Sequence, residues 1–193
     1  HYRKITLNDS LSAAILTDYI KSLDNNKTYF TAVDLAGFDH YKYLIDDFTR
    51  AGNVDIAYEI YSVFRKRFDE RTKYVLEKLV AQEFDYSIDE SYQTDRDKEP
   101  WCKNEVELNE VWRKIIKSQA LSLRLAGKLQ PEIEKTLRDR SERLSKSIQQ
   151  FNSEDVFSMY MNTITESYDP HTNYFSPKAA DLFKQQMSLS LEG

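Results

Sequence analysis

Val54-Asp55-Ile56-Ala57-Tyr58-Glu59-Ile60-Tyr61-Ser62-Val63-Phe64-Arg65-Lys66-Arg67-Phe68-Asp69-Glu70-Arg71-Thr72-Lys73-Tyr74-Val75-Leu76-Glu77-Lys78-Leu79-Val80 decides the fold class. Ile56, Ile60, Phe64 and Phe68 recur at every fourth position, and Val75 and Leu79 continue the stripe. Residues so spaced share one face of an α-helix. Between them run Arg, Lys, Asp and Glu, the composition of a solvated opposite face. At the helical rise the stretch would be about 40 Å long. Gly52 precedes it and suits a left-handed stop for an earlier helix.

Upstream, the spacing predicts a helix over Asp9–Leu23, with Leu11, Ile15 and Tyr19 on one stripe and Leu16, Ile20 and Leu23 beside it. Asn25-Asn26 breaks it. A second helix is expected from Thr31, whose hydroxyl is placed to cap the Asp34 amide, towards Arg50, with Gly37 as the point of interruption. Downstream, Glu83–Glu99 loses the period and reads as an acidic surface loop closed by Pro100-Trp101. Asn104–Ala126 carries Val111, Trp112, Ile115 and Ile116, an arc wide enough for a central helix that Gly127 ends. Pro131 suits the first turn of the next helix, whose stripe is Ile133, Leu137, Leu144, Ile148 and Phe151. Ser153 is the expected cap of a further helix carrying Val156, Phe157, Tyr160, Met161 and Ile164. Ser176-Pro177 starts a short last one, with Ala180, Phe183 and Met187 expected to face inward. Ser188–Leu191 alternates polar and apolar, the pattern of a strand. The expectation is therefore an all-α domain of six or seven helices, residues 1–168, followed over 169–193 by a connector, a short helix and a truncated strand.

The totals agree. Gly and Pro number four each, Gly falling far below its usual ~7%, which disfavours sandwiches, barrels and phosphate-binding glycine loops. A formal charge of −5, with both signs interspersed along helices, does not make the basic stripe of a nucleic-acid binder. No run of about 18 apolar residues is present, so no helical membrane span is expected. With Cys102 as the only cysteine, no disulfide forms within the chain, and the compartment stays open on that ground. The chain starts at His1 rather than Met, which reads as a processed or trimmed product.

Reactive constellations are scarce. His1, His40 and His171 are far apart, with no His-Glu-x-x-His, so no metal site is expected. Asp95-Arg96-Asp97-Lys98-Glu99 resembles the start of a calcium loop but lacks its glycine and terminal glutamate. No serine has a glycine neighbour, and Ser141, Ser145 and Lys146 read as solvent-facing helix residues. No catalytic residue and no cofactor site are therefore expected. Asp46-Asp47 and Glu154-Asp155 read as helix-surface or helix-start carboxylates. Tyr41, Tyr43, Tyr58 and Tyr61 are candidates for a partner groove, though core edge is the default reading. The segment Asp169-Pro170-His171-Thr172-Asn173-Tyr174-Phe175-Ser176-Pro177 is the most distinctive. An Asp169–His171 contact is easy to make, but a turn locked by side-chain-to-backbone hydrogen bonds is the preferred reading, with Tyr174 and Phe175 as apolar anchors.

With those residues in view, the chain resembles a family. His1-Tyr2-Arg3-Lys4, Leu23-Asp24 with Tyr29-Phe30, Asp46-Asp47 followed by Ala51-Gly52, Pro100-Trp101, Asn152–Phe157, Asp169–Pro177 and Met187–Gly193 look like the N-terminal helical region of the bacterial tail-specific, or carboxyl-terminal processing, proteases. Cys102 departs from the proline expected after the tryptophan. The resemblance implies a periplasmic serine endopeptidase with a Ser-Lys pair, whose partners are proteins or peptides with apolar C-terminal tails, a possible adaptor, and the PDZ and protease domains of the same parent chain. No residue here matches the nucleophile or lysine motif, so the fragment itself is expected to be inactive, and Met187–Gly193 looks like the approach to the PDZ part. The same resemblance makes Asp169, His171, Thr172, Tyr174 and Phe175 candidates for the junction with the core. The alternative is a free-standing helical module that binds a partner helix.

Overall fold

The computed structural model describes residues 6–191. His1–Lys4 and Glu192-Gly193, the last two residues of the stretch that looks like the approach to a PDZ part, lie outside the described residues. Among these, eight α-helices and no strand are present: α1 Asp9–Leu23, α2 Ala32–Phe38, α3 Ile45–Arg50, α4 Asp55–Tyr74, α5 Glu105–Leu125, α6 Gln130–Gln149, α7 Ser153–Tyr168 and α8 Pro177–Leu191. The chain folds into two compact units. One is formed by His1–Ser22, His40–Glu59 and Asn152–Gly193, the other by Leu23–Asp39 and Ile60–Phe151.

In the first unit, Ile15, Tyr19, Ile45, Ala57, Val156 and Tyr160 are buried. The rings of Tyr19 and Tyr160 meet edge to face at 5.1 Å, a geometry that aligns ring edge with ring face. The Tyr19 hydroxyl donates to the Ala57 carbonyl at 2.9 Å. A buried serine–carboxylate pair joins α1 to α3: the Ser12 hydroxyl donates to Asp46 Oδ1 and accepts the Asp46 amide, both at 2.9 Å. Arg50 Nη1 neutralises Asp46 at 2.8 Å. This carboxylate is thus structural, since a buried charge persists when it is paired and hydrogen-bonded.

The second unit begins with a buried cap. Asp24 ends α1 and accepts the amides of Thr28, Tyr29 and Phe30 at 2.8, 2.8 and 2.9 Å. Burial pushes its carboxyl above the ordinary range, against the opposing pull of these bonds. The turn they fix presents Tyr29 and Phe30 to an aromatic cluster with Phe64, Phe68 and Trp112. Beyond it, Val75, Leu79, Val80, Ile116, Ala120, Leu123, Ile133 and Leu137 form one apolar core, where α5 packs on α6. Asp34 and Arg67 pair at 2.8 Å.

The decisive stretch is helical as read, but its end widens into a π-turn over Val75–Leu79, with the Val80 amide on the Val75 carbonyl at 3.0 Å. The wider turn lets Val75, Leu79 and Val80 all face the core. Other expectations need correction. The second helix breaks not at Gly37 but over Asp39–Leu44, giving α2, a 3-10 turn at Asp39–Tyr41 and α3. At its start the Asp34 carboxylate accepts both the amide and the hydroxyl of Thr31 at 2.9 Å. Asn152, not Ser153, caps α7, its Oδ1 accepting the Glu154 and Asp155 amides. Ser188–Leu191 is not a strand but the end of α8. No Gly or Pro interrupts that run, and a lone strand leaves its backbone groups unpaired whereas a helix satisfies them internally. Phe183 and Met187 do not face inward either; they are 48% and 49% exposed.

Candidate functional site

Asp169 stops α7 in an extended conformation, its amide still on the Thr165 carbonyl. Its side chain then turns the chain: Oδ1 accepts the His171 amide at 2.9 Å, and its carbonyl accepts the Thr172 amide at 2.9 Å. This is a locally hydrogen-bonded turn of the kind Asp favours. The His171 ring is exposed, and the bond at this position runs through its backbone amide. Tyr174 is held twice. Its amide donates to Asn162 Oδ1 of α7 at 2.6 Å, and its ring meets Phe157 edge-on at 5.3 Å. Phe175 stacks on Phe183 of α8 at 5.5 Å, yet stays 52% exposed. Ser176 Oγ accepts the Ala179 amide at 3.2 Å and so caps α8. Asp169, Thr172 and Tyr174 therefore shape the connector, while Phe175 joins Leu182 and Phe183 in an apolar face open to solvent. Asn162 was not singled out in the sequence. A polar residue inside the apolar arc of α7 was the only available signal for it.

Among the described residues, two concavities of the second unit bear on function. The first, of about 230 Å³, lies between the acidic loop and α5. Its charged groups are engaged within the protein. Glu90 pairs with Arg113 and Lys117, and Lys114 donates to the Ser91 carbonyl. The hydrogen bonds from Arg113 and Lys117 pull the Glu90 carboxyl down to about 2. The second, of about 390 Å³, is framed by Tyr29, Val75, Trp112, Ile115, Ile116 and Leu144, with Thr72, Gln119, Arg140 and Ser141 at its rim.

Cys102 is buried, its carbonyl accepting the Ala32 amide at 2.8 Å and its Sγ lying 3.9 Å from Arg96 Nη2. Burial raises its thiol pKa. It serves the loop exit as a small apolar residue. Of the tyrosines considered for a groove, Tyr41, Tyr58 and Tyr61 are half-buried and Tyr43 is exposed. Tyr58 donates to the Ser153 carbonyl, and Tyr61 stacks on Phe151 at 6.3 Å. Among the described residues, no group of three or more His, Cys, Asp or Glu is arranged to hold a metal, and no helix is long and apolar enough to cross a membrane.

Each unit is thus helical with buried apolar residues of its own, and the face of Phe175, Leu182 and Phe183 stays open to solvent. The model of the tail-specific protease N-terminal domain matches residues 1–178, and the chain belongs to that family. A relative named tail-specific protease, from Haemophilus influenzae, is 34% identical over 194 residues, an alignment covering 100% of this chain and 28% of that protein. The chain thus spans about 28% of the length of this relative.

Proposed function

We propose that the chain is the helical front part of a periplasmic serine endopeptidase that processes C-terminal tails, and that its work is mechanical. The Ser-Lys dyad lies outside this chain, in a protease core reached through a PDZ domain. The helices frame the proteolytic chamber, exclude folded proteins, and dock substrates with apolar C-terminal tails or an adaptor. The connector Asp169, His171, Thr172, Tyr174 and Phe175, continued by α8, forms the junction with those downstream domains.

The observation carrying this reading is the open face of Phe175, Leu182 and Phe183, in a chain that belongs to this family. A contiguous apolar patch marks a surface that another body covers. Most of the length of the relative lies outside the aligned part, which leaves ample chain to supply the cover. The test is a cleavage assay on a peptide with an apolar C-terminus. The purified chain leaves the peptide intact, and the full-length parent cuts it. Cutting by this chain, once contaminating proteases are excluded, contradicts the reading.

A further inference from the structure

We infer that the groove between α4, α5 and α6 is a binding site for a polypeptide C-terminus with apolar last residues, held by its terminal carboxylate on Arg140. The floor and walls are aromatic and aliphatic: Trp112, Tyr29, Ile115 and Leu144. The Trp112 indole is held in place, its N–H donating to the Thr28 carbonyl at 2.7 Å. The rim is made of donors. Arg140, Gln119 and Thr72 all line the groove, and none of the three makes a side-chain hydrogen bond or ion pair among the described residues. No Asp or Glu lines it. An apolar cleft with a few convergent polar groups is the usual form of a ligand site. A free guanidinium at its mouth, with no competing carboxylate, is complementary to an anion, and Arg binds carboxylates in a two-pronged geometry.

The neighbouring concavity by the acidic loop shows the contrast. Its Glu90 pairs with Arg113 and Lys117, and Lys114 already donates to the Ser91 carbonyl, so each of its charged side chains has a partner within the protein. Size narrows the occupant of the open groove. At about 390 Å³ it takes a chain end with two or three side chains rather than the ridge of a docking helix. The Gln119 amide and Thr72 hydroxyl suit the backbone amides of a peptide, groups that a simple fatty acid lacks. The site deepens the reading above by giving the helical domain its own contact with substrate tails, and it rests on that reading only for the origin of the peptide.

The test is calorimetric titration of the 193-residue chain with a short peptide ending in leucines, as free acid and as C-terminal amide. Indole fluorescence follows the same titrations. The free acid binds saturably, and amidation weakens it about ten- to hundredfold. Arg140→Gln, an exposed position, loses as much, and in that variant acid and amide bind alike. Leu144→Glu also abolishes binding, with circular dichroism showing that both variants are folded. Equal binding of acid and amide to the parent chain, unchanged binding by Arg140→Gln, or a fatty acid of matched length binding as tightly as the peptide would each overturn the inference. The readout is binding, not cleavage. A failure here removes the groove and leaves the protease reading in place, whereas cleavage by the isolated chain removes the reading itself.

Discussion

The core that α5 and α6 share, and the end helix α8, are built from the same pattern and meet different fates. Ile133 and Leu137 repeat at helical spacing on α6 and are 2% and 1% exposed. Phe183 and Met187, at the same spacing on α8, are 48% and 49% exposed. Amphipathic spacing specifies a face that gains by burial, but says nothing about where the covering surface comes from. On α6 it comes from α5 and the π-turn. On α8 the exposed face is the feature that our reading assigns to the rest of a larger protease.

That comparison breaks most visibly by truncation. Leu137→Ala, in the filled core, should cost about 2–5 kcal/mol, measured by chemical denaturation followed by circular dichroism. A cost like that of a surface change would mean that the bundle core is not as packed as its burial implies. Asp24→Ala should come next, at about 2 kcal/mol, because three backbone amides lose their common acceptor. Asn at the same position should recover part of the loss.

Acid probes the filled unit through the ion pair that holds its acidic loop to α5. The Glu90 carboxyl is held down by Arg113 and Lys117, from its ordinary 4.5 to about 2. A depressed carboxylate contributes stability that is present above its unfolded value and lost as pH falls through the folded one. The acidic loop should therefore loosen between about pH 4.5 and 2, and Glu90→Gln should remove that dependence. Hydrogen exchange at Tyr86–Tyr92 against pH measures it. Asp34 contributes with the same sign: burial pushes its carboxyl up, but bonds from Arg67 and Thr31 outweigh this and leave it lowered. The smallest effect belongs to α8. Leu182→Ser in this chain should change stability by no more than about 0.5 kcal/mol, and a loss comparable with that of Leu137→Ala would show that α8 is covered already.

Much of the fold was legible because helix signals are local. Asp9–Leu23 was readable to the residue, from the Ile15 and Tyr19 stripe and the Asn25-Asn26 break. Gly52 and Gly127 mark helix ends with positive φ of 72° and 85°, which glycine adopts without penalty. What failed depended on partners. The Ser188–Leu191 alternation fits a strand only where another strand offers its ladder, and none is present among the described residues. Inward-facing Phe183 required a neighbour that the described residues do not provide. Asn152 outcompeted Ser153 as a cap because its side chain reaches two amides while Asp155 returns the favour to the Asn152 amide. The connector was legible as a turn from Asp169 and Pro170, but its anchorage through Asn162 was not, since that contact spans 12 positions. The rim of the apolar groove draws Thr72, Gln119 and Arg140 from three helices, a convergence no local pattern encodes.

Whether other domains cover α8, as proposed, is decided by its hydrogen exchange in this chain and in the longer parent protein that the proposal calls for. The account predicts rapid exchange over Pro177–Met187 in the isolated chain and strong protection in the parent, with the Ile133–Leu137 segment equally protected in both. Equal exchange of α8 in the two proteins would contradict it.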